Sequence, residues 1–535
     1  MKAKNKIMFT KKLIWAVVFT TSTGLVYGQN APENWFNLDK KANKVFGVST
    51  ERAYDELLKN KTSVPVIVGV LDSGVDEDHE DLKNVMWINQ GEIAGNNIDD
   101  DNNGYIDDIY GWNFIGGKDG KNVEHDSYEL TRVYNKFKLK YENMNEATIS
   151  ETDKVGYQEY LKLKVEFLQK SVQSQTMFDL YSKSMKRFES IEAGVGKGEN
   201  FTIEELKAYK PANAQEAGTI DKFIAYMQSG EKYLTIKTNL KQALEHFDVQ
   251  ANYAYNVNYN SRLIVGDNYD DQRETNYGNN DVTGPDASHG THVAGIIGAQ
   301  RDNNLGIKGV SNNARIMSVR CVPDGDERDK DVANAIRYAV NNGAKVINMS
   351  FGKAFPWDKA LVDEAVKYAE SKDVLLVHGA GNDSKDIDVN INYPNPNIAI
   401  DNKRASNWVE VGASSWVGGK ARLAEFSNYG QINVDVFAPG VSIYSTIPGS
   451  KYASFDGTSM ASPCTAGVAA LIRSYYPNLT AVQVRMILIQ STTKVKGKVY
   501  IPGTKKATRL KKITVSGGVV NTYNAVMLAE KLSKN

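Results

Sequence analysis

Three residues stand where a buried apolar element has no use for them. Asp72 ends the run VIVGVLD, His289 opens the helical pattern SHGTHVAGIIGA, and Ser459 precedes the apolar stretch ASPCTAGVAALI. A carboxylate, an imidazole and a hydroxyl, each at the edge of a buried element, are the parts of an acyl-transfer site. His292 lies three residues beyond His289, which also raises a metal pair. Helical zinc peptidases place their histidines at i and i+4 with a glutamate beside the first. Here the spacing is three, the neighbour is Gly290 and no third ligand is near. His292 is therefore expected to be a hydrogen-bonded core residue, on one face with Val293 and Ile296.

A second polar segment, NNIDDDNNGYIDDIY, has calcium-loop spacing. Counted from Asp99, oxygen donors fall on Asp99, Asp101, Asn103, the Tyr105 carbonyl and Asp107, with Gly104 at the sixth position. The twelfth position is Tyr110 instead of a bidentate glutamate, so the remaining ligands must come from elsewhere, with Asp108 a candidate. A structural calcium ion is expected, against the alternative of a solvated acidic turn. No cofactor is expected for catalysis.

The elements that must position these residues alternate. VPVIVGVLDSG, ARIMSVRCV, AKVINMSFG, DVLLVHGAGN, WVEVGASS and VDVFAPG are short and nearly all apolar, as strands buried on both faces must be. DKDVANAIRYAVNNG and WDKALVDEAVKYAESK between them have helical period, the first closed by a glycine. The pattern predicts a three-layer α/β/α fold around a mostly parallel sheet, with sites at the carboxyl ends of the strands. From Lys118 to about Tyr255 the strand signal is lost. Leu161, Val165, Leu168 and Val172 follow 4-3-4 spacing, and Phe178, Tyr181, Met185 and Phe188 follow 3-4-3. This predicts an α-helical insertion of three or four packed helices, with GVGKGEN (194–200) as its clearest loop. Thr202 and Glu205 form a capping box, with Phe201 placed to staple onto Leu206.

The segments DSGVDEDHEDL, HGTHVAG, GAGND and GTSMASP, in the order Asp, His, Ser, resemble those of the subtilisin-like serine peptidase (subtilase) family, of an exported bacterial type. The resemblance covers roughly 60–118 and 255–530 and leaves the insertion unexplained. It implies a subtilisin-like fold in which Asp72, His289 and Ser459 form a catalytic triad and Asn382 an oxyanion donor. In those roles His289 takes the serine proton and returns it to the leaving amine, while Asp72 orients the ring and stabilises imidazolium. The helix N-terminus is expected to keep His289 uncharged at rest. The backbone N–H of Ser459 and the Asn382 amide can share one developing oxyanion. By the same resemblance an extended peptide pairs with Ser350, Phe351 and Gly352, and Gly379, Ala380 and Gly381 wall a pocket for a large apolar side chain. The implied function is a secreted serine endopeptidase working through an acyl-enzyme. The alternative is a catalytically inactive subtilase-like protein that binds peptides or serves as a scaffold.

Whole-chain properties agree with export. Lysines and arginines number 64, as do aspartates and glutamates, so nothing global argues for nucleic acid. Five lysines by residue 12 precede an apolar run to Tyr27, the pattern of a secretory signal peptide cleaved near Gly28. No later run reaches the roughly 20 apolar residues of a membrane span, so the mature form is expected to have none. Partners are then protein or peptide substrates, met in the periplasm or outside the cell. Cys321 and Cys464 sit in apolar contexts that suit free buried thiols. The expected organisation is a signal peptide (1–28), an N-terminal extension (29–63), a first peptidase part (64–117), the insertion (118–254) and a second peptidase part (255–535).

Overall fold

The computed structural model describes residues 31–146, 149–196 and 201–534. The signal-peptide reading of residues 1–28 lies outside the described residues. Nine strands form the main sheet: β1 (Val66–Asp72), β2 (Gly111–Asn113), β3 (Ala314–Arg320), β4 (Val346–Met349), β5 (Leu375–Gly379), β6 (Trp408–Ser414), β7 (Val436–Pro439), β8 (Thr493–Lys494) and β9 (Gly518–Val519). Their spatial order is β8-β9-β7-β6-β5-β4-β1-β3-β2, parallel everywhere except between β8 and β9. The helices used below are α1 (Glu129–Tyr141), α2 (Lys154–Val195), α3 (Ile203–Ala208), α4 (Ala214–Gln228), α5 (Tyr233–Val249), α6 (Ser288–Gly298), α7 (Asp329–Asn341), α8 (Lys359–Ser371) and α9 (Thr458–Tyr475).

Strand β1 shows why its sequence is almost unbroken in apolar residues. Val66, Val68 and Val70 pack with Val293 and Ile297 of α6 and with Val468 and Leu471 of α9. Leu71 and the partly buried Ile67 face the other side, with Val332 and Ile336 of α7 and Val362 and Val366 of α8. Helices on both faces of a mostly parallel sheet make the expected three-layer α/β/α architecture. Each such side chain contributes about 1.5–3 kcal/mol on burial. The segment before the sheet joins this core, since Trp35 and Phe36 are fully buried in it and Trp35 Nε1 donates to the carbonyls of Val441 and Ser442.

Helices α1 to α5 lie between β2 and α6. Thr202 caps α3 as read, its Oγ1 accepting from Glu205 N at 3.2 Å while Glu205 Oε2 accepts from Thr202 N at 2.9 Å. Phe201 and Leu206 share one cluster with Met185 and Phe188. The stripe at Leu161, Val165, Leu168 and Val172 is different. Val165 is 68% exposed and Val172 63%, and the buried side of α2 carries Tyr160, Leu163 and Phe167 instead. Aromatic size decides this, for Phe167 stacks on Tyr134 of α1 with ring centroids 4.3 Å apart. The helix also runs slightly past the start of the expected loop, continuing to Val195 and ending on Gly196 at φ 70°.

Candidate active site

Asp72 closes β1, and His289 is the second residue of α6. Gly290 lets that helix come close enough, because a Cβ there would lie 2.1 Å from the Gly74 carbonyl oxygen. The two side chains meet, with His289 Nδ1 donating to Asp72 Oδ1 at 2.7 Å. The same oxygen accepts from Ser73 N at 2.8 Å, and Asp72 Oδ2 is buried without a partner among the described residues. His289 keeps 39% of its side chain exposed. Burial lowers its pKa, but the Asp72 charge and hydrogen bond outweigh burial and the net shift is upward. The facing carboxylate thus works against the helix N-terminus, which is expected to hold the ring uncharged.

Ser459 is the second residue of α9, where first-turn backbone N–H groups have no helical partner. Its Oγ donates to the Ser350 carbonyl at 3.1 Å, and Ser350 Oγ donates to the Ser459 carbonyl at 2.9 Å. No hydrogen bond joins Ser459 to His289 among the described residues. Ser350 lines a cavity of about 260 Å³ together with Asp72 and His289. Asn382 follows β5, and its Oδ1 accepts from Thr458 N at 2.9 Å and Thr458 Oγ1 at 3.0 Å. That anchoring fixes the amide, whose Nδ2 makes no hydrogen bond among the described residues.

The segment after β4 is held open. Gly352 N–H and C=O make no hydrogen bond among the described residues, while the neighbouring Phe351 carbonyl lies 2.8 Å from His378 Nε2. His378 is fully buried and its Nδ1 lies 2.9 Å from Glu410 Oε1, so this histidine supports the segment, a role its sequence context did not signal. Two residues of the expected pocket wall are buried. Ala380 is fully buried, its N–H bonded to the Val411 carbonyl and its carbonyl to Asn428 Nδ2, and Gly379 is buried against the Thr458 backbone. A separate cavity of about 300 Å³ is bordered by Gly352, by Asp383, Lys385 and Asn392, and by Leu130, Phe355 and Ile391.

His292 lies in the core as expected. It is fully buried, its Nε2 lies 2.9 Å from the Ile443 carbonyl, and its ring stacks on Phe455. Desolvation lowers its pKa to about 3. His79 bridges loops, with Nδ1 accepting from Asp81 N and Nε2 3.0 Å from the Lys451 carbonyl. Cys321 and Cys464 are free and buried, and burial raises the pKa of both thiols.

A model of the subtilase family matches residues 64–509. The chain belongs to the subtilase family. Over 240 residues it is 39% identical to the thermophilic serine proteinase of Bacillus sp. (strain AK1), covering 45% of this chain and 52% of that protein. Over 206 residues it is 39% identical to subtilisin BL of Lederbergia lenta, covering 38% of this chain and 70% of the relative. A match of the same length is 39% identical to the alkaline protease of Alkalihalobacillus alcalophilus and covers 50% of it. The chain therefore spans about half the length of the first and third of these relatives. A solved protease of Pseudoalteromonas arctica superposes with a TM-score of 0.39 at 29% identity, covering 47% of this chain and 78% of that one.

The acidic loop of this subtilase is organised differently from its sequence spacing. Asp99 and Asp101 converge with Glu92, a ligand atom from each lying within 4.8 Å of the others. Glu92 lies outside the twelve-residue window, which is why the spacing missed it. Asp107 is turned the other way, accepting from Gly95 N at 2.8 Å and Asn97 N at 2.9 Å, because the preceding turn presents its N–H groups there. Asp108 faces the core, held by Tyr338 Oη at 2.6 Å and Asn89 Nδ2 at 2.7 Å, and burial raises its pKa to about 6. The Asn103 side chain bridges Asp101 and Asp108, and the Tyr105 ring packs on Trp112 and Tyr338.

Proposed function

We propose that this subtilase is a secreted serine endopeptidase that cleaves protein or peptide substrates through an acyl-enzyme. The observation that carries the reading is the 2.7 Å bond from His289 to Asp72, made by residues 217 positions apart, with Ser459 bonded to Ser350, which lines one cavity with both. The bond fixes the Nδ1–H tautomer and leaves Nε2 as the base. Ser459 Oγ must rotate off the Ser350 carbonyl to give its proton to that nitrogen as it attacks. The oxyanion then forms beside the Ser459 N–H and the Asn382 amide, donors held in place before reaction and strong where water is excluded. Asp72 stabilises the imidazolium, which protonates the leaving amine; water and the same base then release the acyl group. An extended substrate adds to the free edge at Gly352.

The test uses a fluorophosphonate probe. Wild type is expected to be labelled and Ser459→Ala unlabelled; a folded wild type that resists labelling would sink the reading and favour an inactive peptide binder.

A structural calcium ion also belongs to this reading. Three carboxylates gathered at one point repel one another, a cost that a hard cation with oxygen ligands removes. Glu92, Asp99 and Asp101 would hold it, with Asn103 and the Tyr105 carbonyl as further oxygens. At hundredfold excess over Kd the ion would add about 2.7 kcal/mol of stability. EDTA is expected to lower Tm in wild type but not in Glu92→Ala, and an equal response in both would count against the site.

A further inference from the structure

The insertion reaches the substrate-binding edge through one buried lysine. Lys353 directly follows Gly352, and its side chain is 1% exposed. Its ammonium has three N–H donors. They meet Glu129 Oε2 at 2.6 Å, Asp329 Oδ1 at 2.7 Å and the Glu327 carbonyl at 2.7 Å. Asp329 and Glu327 belong to the peptidase core, whereas Glu129 is the first residue of α1. Glu129 is itself fully buried and gripped by Arg132, with Nε to Oε1 at 3.0 Å and Nη2 to Oε2 at 2.8 Å. Arg132 also donates to the carbonyls of Asp326 and Glu327, so the end of α1 is clamped to the loop before α7.

On the main chain, Lys353 is paired with Tyr393, N to O at 2.8 Å and O to N at 2.9 Å. One residue earlier, Gly352 has its N–H and C=O free among the described residues. The direction of those two groups follows from where Lys353 is held at both its backbone and its ammonium. The same end of the insertion also borders the cavity that starts at Gly352, through Tyr128, Leu130 and Tyr255.

We propose that Glu129 is a positioning residue for substrate binding, the insertion acting through Lys353 to set the edge on which an extended peptide adds. This rests on the peptidase reading above. A strand-adding substrate depends on the register of the edge it meets, and displacing bound groups by about 1 Å can cost 10²-fold in rate. The nucleophile, base and oxyanion donors do not touch Glu129, so a substrate without residues along that edge should not sense its loss.

The experiment compares a tetrapeptide p-nitroanilide with p-nitrophenyl acetate in full-length wild type and Glu129→Gln. The expected result is a fall of about tenfold in kcat/KM for the tetrapeptide, chiefly in KM, with the acetate within about twofold. Equal losses on both substrates, or no loss on either, overturn the proposal. Lys353→Met should reproduce the pattern, and Glu129→Asp, which keeps the charge, should recover part of the peptide rate. A second measurement does not depend on these variants folding. In Ser459→Ala, binding of an uncleaved peptide should slow amide exchange both at 350–355 and at 127–132. Protection confined to 350–355 overturns the coupling. A wild type that turns over neither substrate defeats the peptidase reading instead, and the exchange measurement still reads the coupling.

Discussion

Strand β1 and helix α2 bury their residues under different constraints. Nearly every side chain of β1 meets a partner, one set against α6 and α9 and the other against α7 and α8. Helix α2 runs 42 residues and covers its neighbours with only part of its circumference. Apolar residues on β1 have nowhere else to go, whereas α2 carries two stripes of helical spacing and buries one. The loser, at Val165 and Val172, is β-branched; the winner brings Tyr160 and Phe167 against Tyr134. A strand buried on both faces is thus legible from composition alone, while a long surface helix is legible as a helix but not as an orientation.

The sharpest break between the two regions is catalytic. If the proposed triad operates, Asp72→Asn in the core is expected to lower kcat by about 10⁴-fold, the scale of the corresponding change in a peptidase with that triad. Because the Asp72 charge raises the His289 pKa, the acid limb of kcat/KM should move to lower pH in that variant; an unmoved limb would refute the pairing. In the insertion, Phe188→Ala removes a fully buried ring packed on Phe223 and Tyr233. It should cost about 3–5 kcal/mol by urea unfolding, with turnover of p-nitrophenyl acetate preserved. Loss of ester turnover would show that the two regions do not act separately.

A pH comparison follows from the histidines. His292 has a folded pKa of about 3 against 6.5 unperturbed. The unfolded chain therefore binds a proton that the folded one refuses, and this contribution is whole above 6.5 and lost as pH falls toward 3. By pH 4 the loss amounts to about 3 kcal/mol. Urea midpoints from pH 7 to 4 should fall more steeply in wild type than in His292→Gln, and parallel profiles would contradict the shift. The smallest effect belongs to the exposed stripe, where Val165→Ser should change stability by less than about 0.5 kcal/mol.

The candidate site was legible to unequal depth. Asp72, His289 and Ser459 stood out because each is polar at the edge of an apolar element, and Asn382 because of the motif around it. Glu92 was not visible, since the calcium-loop spacing counts forward from Asp99 and the residue lies behind it. His378 and Lys353 gave no signal either, for each matters through a backbone carbonyl or a buried ammonium that only packing defines. Ala380 belonged to a matching motif yet faces the core, because neighbouring strand and loop groups take its N–H and C=O.

The sequence by itself determined the layered α/β fold, the family and the chemical types at the site, since apolar runs, caps and local motifs depend on neighbours along the chain. Tertiary structure alone decided which stripe of α2 is buried, which acids converge and what holds the edge at Gly352. Those outcomes depend on contacts between segments such as Glu129 and Lys353, 224 positions apart, and no local periodicity records which distant partner a side chain will meet.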